Sequence, residues 1–377
     1  MFEFLSIDVL YEICAYLSPV DILRSLASLN KRFSTIFMYQ FLWHIHIDGD
    51  RMSLLTFNDF CENILKVVRH RVVSLRITFK HVVGGWSLVS SALKYHQTML
   101  LRHVQLIDIQ PYEFDKFLCN HLTKQLHTLI VDVTEHNPFN YQDMEGAYLA
   151  KVCSCLPALT ICRLPFNFCR ISRKKLLKSS TTPLMSLPNV FNTTYLHTLT
   201  VGVNTSRFLE HLLPCIPFIQ NLSIGIADPV VIEDDGFDIV SMPVAVDARL
   251  LRNLIKSFDM DAESITLRNG EYFCKRISNR LPDLKHFSFS LHNSHDEFGW
   301  HSSNTRHGQI TCTERIVNHI CYLLDHFQQL VSLDMSFVGW TFTATPCFSY
   351  LIRRQLHELL LNRPYRVRCS EKIQIWL

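Results

Sequence analysis

Histidine is the residue type that most invites a chemical role, with 19 copies in a chain of 377 residues. The densest group lies in the stretch HNSHDEFGWHSSNTRH, which also contains Asp296 and Glu297 and whose histidines are His292, His295, His301 and His307. A zinc site usually holds pairs of ligands at fixed short spacing on rigid elements, often with cysteine. This stretch has no cysteine and is typical of a polar insertion between a strand and a helix. It predicts solvated histidines and no metal site.

Two charged clusters also call for a chemical interpretation. The acidic cluster lacks the ligand spacing of an EF-hand and predicts a surface loop; it consists of Asp228, Glu233, Asp234, Asp235 and Asp238. The basic cluster precedes a Ser-Ser-Thr-Thr run; it consists of Arg170, Arg173, Lys174, Lys175 and Lys178. Such a cluster could contact the phosphate groups of a nucleic acid or of a phosphorylated partner. Because no aromatic residues are interleaved with it, the cluster does not resemble a nucleic-acid platform, and a solvated loop is favoured over partner docking.

No motif of a known catalytic or cofactor site occurs in the sequence. HExxH, GxSxG, the P-loop and the dinucleotide fingerprint are all missing from it. We therefore predict a non-catalytic protein without a cofactor or a metal.

Composition indicates an ordered protein of the cytoplasm or the nucleus. Hydrophobic residues make up 48% of the chain, which is ample for a core, and the net charge of +3 implies no obligate polyanionic partner. The 13 cysteines include no CxxC pair, which favours free buried thiols in a reducing compartment. The first residues are apolar but lack a basic start, which argues against a signal peptide. No apolar run approaches the about 18 residues that a membrane-spanning helix needs.

The first fifty residues predict short helices. Leu10, Ile13 and Leu17 fall on one helical face, with Ser6 as a candidate cap and Asp8 in the first turn. A second helix is predicted to start at Ser18-Pro19, and a third at Asn30. Three short helices bury little surface by themselves, so this segment should lean on its neighbour or on a partner.

The segment LSIDVLYEICAYLSPVDILRSLASLNKRFSTIF resembles an F-box. The resemblance covers residues 2–47: an opening Leu, two acidic-apolar helical turns, YLSPVDIL, LNKRF, and Trp43 at about the usual distance. Ser6 stands where the family usually has Pro after the opening Leu, and Ser can cap the helix instead. The resemblance implies binding to the Skp-type adaptor of cullin-based ubiquitin ligases. The positions it assigns to that interface are Leu5, Ile7, Asp8, Leu10, Leu17, Pro19 and Leu23. Leu10, Leu17 and Leu23 fit an intramolecular core equally well.

An irregular repeat follows. The pattern apolar-x-x-apolar-x-apolar recurs at intervals of 22 to 46 residues between its middle positions. Its middle residues are Leu75, Val104, Leu129, Cys162, Leu199, Leu222, Phe287 and Leu333, with a weaker copy at Ala262, Ile265 and Leu267. The short intervals fit a leucine-rich repeat, and the long ones require insertions.

Helix-period segments alternate with these patterns. They include 208–213, 250–258 and 316–327, and a Pro precedes the strand pattern at Pro157, Pro217 and Pro282. Proline ends a helix and favours extended chain before it. We therefore predict an α/β fold: an irregular leucine-rich-repeat-like solenoid with a curved parallel sheet and helices on its convex side.

Alternation along the strands predicts an apolar face and a face of small and polar side chains. The polar face would be the concave surface, a common place for such proteins to hold a partner, although a merely solvated face fits each residue taken singly. The predicted target-binding residues on it are Arg76, His103, Gln105, Asp132, Thr198, Thr200, Arg268, His286 and Asp334.

The predicted organisation has three parts. They are a helical F-box-like module at residues 1–47, the repeat domain at 48–340 and a C-terminal cap at 341–377. A last helix over 348–361 and short strands at 365–367 and 373–377 are expected to close the stack.

Two functions follow from this organisation. The leading one is a substrate receptor of an SCF-type ubiquitin ligase, in which the F-box binds the adaptor, and through it a cullin scaffold, while the repeats hold a target protein. The alternative is an interaction scaffold unconnected with ubiquitin transfer, in which the first helices cap the repeats.

Overall fold

The computed structural model describes residues 5–16, 29, 44–50, 52–68, 72–93, 100–134, 139, 146–164, 193–203, 212, 215–226, 255–262, 270–292, 306–338, 349–359, 365–369 and 372–377. The chain forms two compact units. The first contains residues 1–139, 148–165 and 189–196, and the second contains residues 140–147, 166–188 and 197–377.

The first unit begins with helix α1, Ile7–Ala15. Five strands follow, each parallel to the next along the chain: β1 His44–Asp48, β2 Ser74–Thr78, β3 His103–Ile107, β4 Thr128–Asp132 and β5 Ile161–Leu164. A helical segment lies between each pair of strands: α2 Leu54–Phe60, continued by a π-helical turn at Cys61–Leu65 and by Lys66–Val68, then α3 Gly85–Leu93, α4 Pro111–Leu118 and α5 Ala147–Cys155. Parallel neighbours require such crossovers, because the chain must return to the starting edge of the sheet.

The core of the first unit lies between the strands and these helices. The strands bury alternate residues, such as Ile45 and Ile47 on β1, and the helices bury large aromatic rings. Trp86 of α3 meets Phe117 of α4 edge-on, with 4.9 Å between ring centroids. Aromatic pairs in this geometry contribute beyond the area that they bury.

The second unit repeats the arrangement. Strands β6 Thr198–Val203, β7 Asn221–Ile226, β8 Ser257–Ala262, β9 His286–His292 and β10 Ser332–Val338 are parallel, each to the next. Its helices include α6 Gly270–Arg280, α7 Arg306–His326 and α8 Ser349–Leu359. Two antiparallel strands complete it: β12 Lys372–Trp376 pairs with β10, and β11 Arg366–Cys369 pairs with β12. The predicted last helix and closing strands of the C-terminal region are confirmed.

The backbone repeats in detail where each strand begins. A turn precedes strands in both units, with hydrogen bonds from Leu159 N–H to the Leu156 carbonyl, from Ile219 N–H to Ile216 and from Leu284 N–H to Leu281, at 3.2 to 3.3 Å. These are the three places at which the sequence has Pro after the first turn residue. The predicted strand entries are therefore confirmed.

All eight strong apolar patterns coincide with strands, and their middle residues are buried. The architecture is α/β with mostly parallel strands and intervening helices. The prediction that a helical segment extends to Phe258 is wrong, because Phe258 is a buried residue of β8. Phe258, Met260 and Ala262 also fit the alternation of a strand, so periodicity alone allowed both interpretations. The weak pattern at Ala262, Ile265 and Leu267 begins at the last residue of β8 and otherwise lies outside the described residues.

Glu113 is a buried carboxyl group on α4 of the first unit. Its side chain is completely buried, and its Oε1 accepts the backbone N–H of Trp86 at 3.1 Å. Oε2 has no hydrogen-bond partner among the described residues. Burial raises the pKa of Glu113 above its ordinary value of 4.5, against smaller opposite effects of the Trp86 hydrogen bond and of Lys116. A proton on Oε2 removes the cost of an unpaired buried charge.

This raised pKa predicts that the unfolding free energy depends on pH. The folded state holds the proton more tightly than the unfolded state, so the contribution of Glu113 is full below its ordinary pKa and is lost as the pH rises through the folded-state pKa. Wild type should therefore lose stability relative to Glu113→Gln as the pH rises above the ordinary pKa of 4.5. The urea unfolding midpoint measures this, with the exposed Glu62→Gln as the matched control. A wild-type-to-variant difference that is independent of pH would contradict it.

Candidate functional site

The first candidate surface is α1. Its start is capped by Ser6, whose Oγ accepts the Val9 N–H at 3.4 Å, and Asp8 is exposed in its first turn. Leu10 is 2% exposed, whereas Ile7 and Val9 are each 41% exposed. The helix therefore buries Leu10 and leaves one accessible apolar group on either side of it, Ile7 and Val9. Leu5, another predicted adaptor-binding residue, lies just before α1 and is half-buried. The remaining predicted residues, Leu17, Pro19 and Leu23, lie outside the described residues.

The second candidate surface is the polar face of the strands in the first unit. Parallel register aligns His44, Ser74, His103 and Thr128 in one row across β1 to β4. The next row contains His46, Arg76, Gln105 and Ile130. These eight side chains line an open groove with a cavity volume of about 420 Å³, which we call the β1–β4 groove. It brings together Arg76, His103 and Gln105, three of the predicted target-binding residues.

Asp132, another predicted target-binding residue, forms polar contacts on this face. Its Oδ2 accepts a hydrogen bond from Gln105 Nε2 at 2.9 Å, and its Oδ1 lies 3.0 Å from Arg163 Nε of β5. The carboxylate thus has a partner on each side in neighbouring strands. The charge of Arg163 offsets that of the Asp132 carboxylate. This part of the face is therefore close to electrically neutral.

Two histidines of the groove have lowered pKa values. Burial lowers the pKa of His46, the positive charge of Arg76 lowers it further, and Asp48 opposes both. Burial also lowers the pKa of His103, together with the neighbouring His127 and His44. Like charges that crowd a site disfavour the protonated imidazole. Burial, the larger cause for both rings, and neighbouring positive charge thus both disfavour the protonated forms of His46 and His103.

The polar face of the second unit holds the other predicted target-binding residues. Thr198 and Thr200 lie on β6, His286 is exposed on β9, and Asp334 is half-buried on β10. Arg268 lies outside the described residues. Neighbouring strands are joined by short polar contacts, including Ser223 Oγ to Asp259 Oδ2 at 3.0 Å and Asn221 Nδ2 to Thr198 Oγ1 at 3.2 Å.

One pair on this second face combines the residue types of a catalytic nucleophile and its general base, serine and histidine. His286 Nδ1 lies 2.9 Å from Ser332 Oγ. His286 is exposed and Ser332 half-buried on the open sheet face, where water has access to both. Catalysis by such a pair also needs oxyanion donors and a site for substrate. The contact is therefore best described as a cross-strand hydrogen bond.

Other chemistry-bearing residues are placed as follows. Burial raises the pKa of Cys61 to about 12 and that of Cys162 well above its ordinary value, so both thiols stay protonated. Within the described ranges, no group of three or more His, Cys, Asp or Glu side chains is arranged to hold a metal ion. Much of the histidine-rich stretch and both charged clusters lie outside these ranges.

The sequence interpretation missed three residues of the first face: His44, His46 and Arg163. The first two belong to β1, whose HIHID sequence alternates exposed and buried residues as a repeat strand does. That alternation is a usable signal of a strand, although residues 44–47 lie at the end of the predicted F-box-like module. No local signal marks Arg163, because its partner Asp132 lies on another strand.

No protein-family model matches the sequence, and a search of curated proteins finds no match. Among the described helices, none has the length and apolar character to cross a membrane.

The Asp132–Arg163 pair generates a test of the first face. Asp132→Asn and Arg163→Gln are each expected to lower the unfolding free energy by at most about 1 kcal/mol, because 57% of the Arg163 side chain and 23% of the Asp132 side chain are exposed. The double variant should lose less than the sum of the two, since the second change removes a pair that is already broken. Urea unfolding measures all three variants. Additive losses would show that the pair is not formed.

Proposed function

We propose that this chain is the substrate receptor of an SCF-type ubiquitin ligase. The segment around α1 binds a Skp-type adaptor, and through it a cullin scaffold, while the repeats form an irregular leucine-rich-repeat-like solenoid that holds a target protein. The observation that carries the proposal is α1 itself. It starts after Ser6 within the F-box-like segment and keeps Ile7 and Val9 accessible.

Accessible apolar side chains on a short helix favour a partner-binding role. Ile7 and the exposed Asp8 are positions at which the F-box resemblance places the adaptor, and the accessible Val9 directly follows them. Burial of such groups against a partner supplies the main favourable free energy of association. Leu10 serves the intramolecular side of the helix, since it is buried without a partner.

The polar sheet faces support the second half of the proposal. Each unit places small, polar and charged side chains in aligned rows, which suits a protein partner better than a packed core would. In this role the chain would accelerate ubiquitin transfer by proximity, because a bound target experiences a high effective concentration of the transfer machinery.

An interaction scaffold without a link to ubiquitin is the second candidate. The burial of Leu10 favours it, because a helix that packs internally can serve as a cap for the first strands. In that case Ile7 and Val9 would be ordinary exposed apolar groups, which are common on protein surfaces.

Adaptor binding distinguishes the two candidates. The full chain should co-purify with a Skp-type adaptor, and Ile7→Asp should weaken binding about tenfold or more, because it places a charge in an apolar interface. Leu55→Asp is the matched control, since Leu55 is 82% exposed at the start of α2, and it should bind as wild type does. Circular dichroism and thermal melting establish that both variants fold.

The receptor proposal fails if the wild-type chain does not bind the adaptor. It also fails if Ile7→Asp binds as tightly as wild type in a titration by isothermal calorimetry.

A further inference from the structure

Arg76 is a permanent cation of the β1–β4 groove that has no ion-pair partner among the described residues. Among the described residues, no carboxylate lies within ion-pair distance of Arg76, which is exposed at the middle of β2. The nearest register position on β3 is Gln105, whose amide already donates to Asp132. Arg163, the other arginine of this face, is paired with Asp132. No carboxylate in the described part of the chain therefore competes with an external anion for the guanidinium of Arg76.

The groups around Arg76 add donors and few negative charges. The elements that face the groove contribute His44, His46 and Asp48 from β1, Ser74 from β2, His103 from β3, and Thr128 and Asp132 from β4, with His127 just before β4. Asp132 is already bonded to Gln105 and Arg163. A guanidinium binds a carboxylate through two parallel N–H···O bonds, and hydroxyl and imidazole groups can support it.

Ile130 provides an apolar contact in the same groove. It lies in the same row as Arg76, two strands away, and is half-buried. Two strand spacings amount to about 9.6 Å. A polyproline II segment rises about 3.1 Å per residue with three residues per turn, so residues i and i+3 lie on one side about 9.3 Å apart. This spacing matches the distance between the two strands.

We propose that the β1–β4 groove binds an acidic segment of a partner protein, whose Glu or Asp carboxylate pairs with Arg76 and whose apolar residue three positions away contacts Ile130. The inference rests on the proposed function, since it specifies the class of target segment that the repeat face holds. The segment crosses the strands in an extended, polyproline-like conformation.

A carboxylate suits this groove better than a phosphate group does. Arg76 is the one arginine or lysine among the ten residues that line the groove. A phosphate monoester carries about −1.5 to −2 charges at neutral pH and is typically held by clusters of arginines. A carboxylate carries a single charge, which one guanidinium matches.

Binding of this anion is coupled to protons. In the free groove, burial and neighbouring positive charge lower the pKa of His46 and His103. A carboxylate beside these rings favours their protonated forms and raises both pKa values. Affinity for the acidic segment therefore rises as the pH falls through the range in which these two histidines titrate.

Fluorescence polarisation with the full-length chain tests the proposal. The probe is a fluorescein-labelled peptide, Gly-Glu-Pro-Pro-Leu-Gly, in which the prolines impose the extended conformation. Matched peptides carry Gln or phosphoserine in place of Glu, or Ser in place of Leu. Wild type should bind the Glu peptide about tenfold or more tightly than the Gln peptide, because the Gln side chain cannot form the charged bidentate pair.

The variants assign the two contacts. Arg76→Gln should remove the preference for Glu over Gln, and Ile130→Ser should remove the preference for Leu over Ser. Lys66→Gln is the matched control, because it removes one exposed positive charge from the helical side of the same unit and should leave both preferences intact. Unchanged thermal melting establishes that each variant folds.

Several results would overturn the inference. They are no binding to wild type up to about 1 mM peptide, equal binding of the Glu and Gln peptides, or an undiminished Glu preference in Arg76→Gln. Stronger binding of the phosphoserine peptide would overturn the assignment to a carboxylate. Adaptor binding is measured separately. A chain that binds the adaptor but no peptide would contradict only the proposed peptide binding by the β1–β4 groove. A chain that binds the peptide through Arg76 but no adaptor contradicts the receptor function alone.

Discussion

A recurring backbone hydrogen-bond arrangement determines the rest of the structure. The carbonyl of the residue before a strand accepts two N–H groups from the start of the next strand. Val73 accepts from Arg102 and His103, and Lys256 accepts from Lys285 and His286, at 2.9 to 3.1 Å. The same arrangement recurs at the carbonyls of Arg102, His127, His197, Gln220 and Lys285. A buried backbone N–H or C=O group is costly to leave without a hydrogen-bond partner. This contact therefore fixes where each of these strands begins relative to its neighbour.

Because neighbouring strands begin at fixed positions, their outward side chains combine into continuous surfaces. Since these neighbouring strands start in step, outward positions align within each unit, and a row such as His46, Arg76, Gln105 and Ile130 becomes one surface. A slip of one residue would turn these side chains into the core and expose the apolar ones. The groove and its charge distribution are thus consequences of register, and the crossover helices that bury the opposite face maintain it.

The sequence contained most of the fold, but less of the site. Alternating apolar residues such as Leu75 and Ile77 are the residues that a strand buries on one face. The sequence pattern therefore predicts the strands. Phe258 was misassigned because residues at positions 254, 255 and 258 also fit a helical face. Most of β1 lies within the F-box-like module, for which the resemblance predicts helices. The Asp132–Arg163 pair and the isolation of Arg76 depend on which strands are neighbours, and one-dimensional patterns do not record such distances.

In the proposed function the chain bridges an adaptor, bound near α1, and a target, bound on the sheet face. Backbone hydrogen exchange of the full chain, with and without a Skp-type adaptor, tests that separation most directly. The proposed function predicts slower exchange at residues 7–15 when the adaptor is present, and unchanged exchange in β2 and β3. Protection of β2 and β3 with no change at residues 7–15 would contradict it.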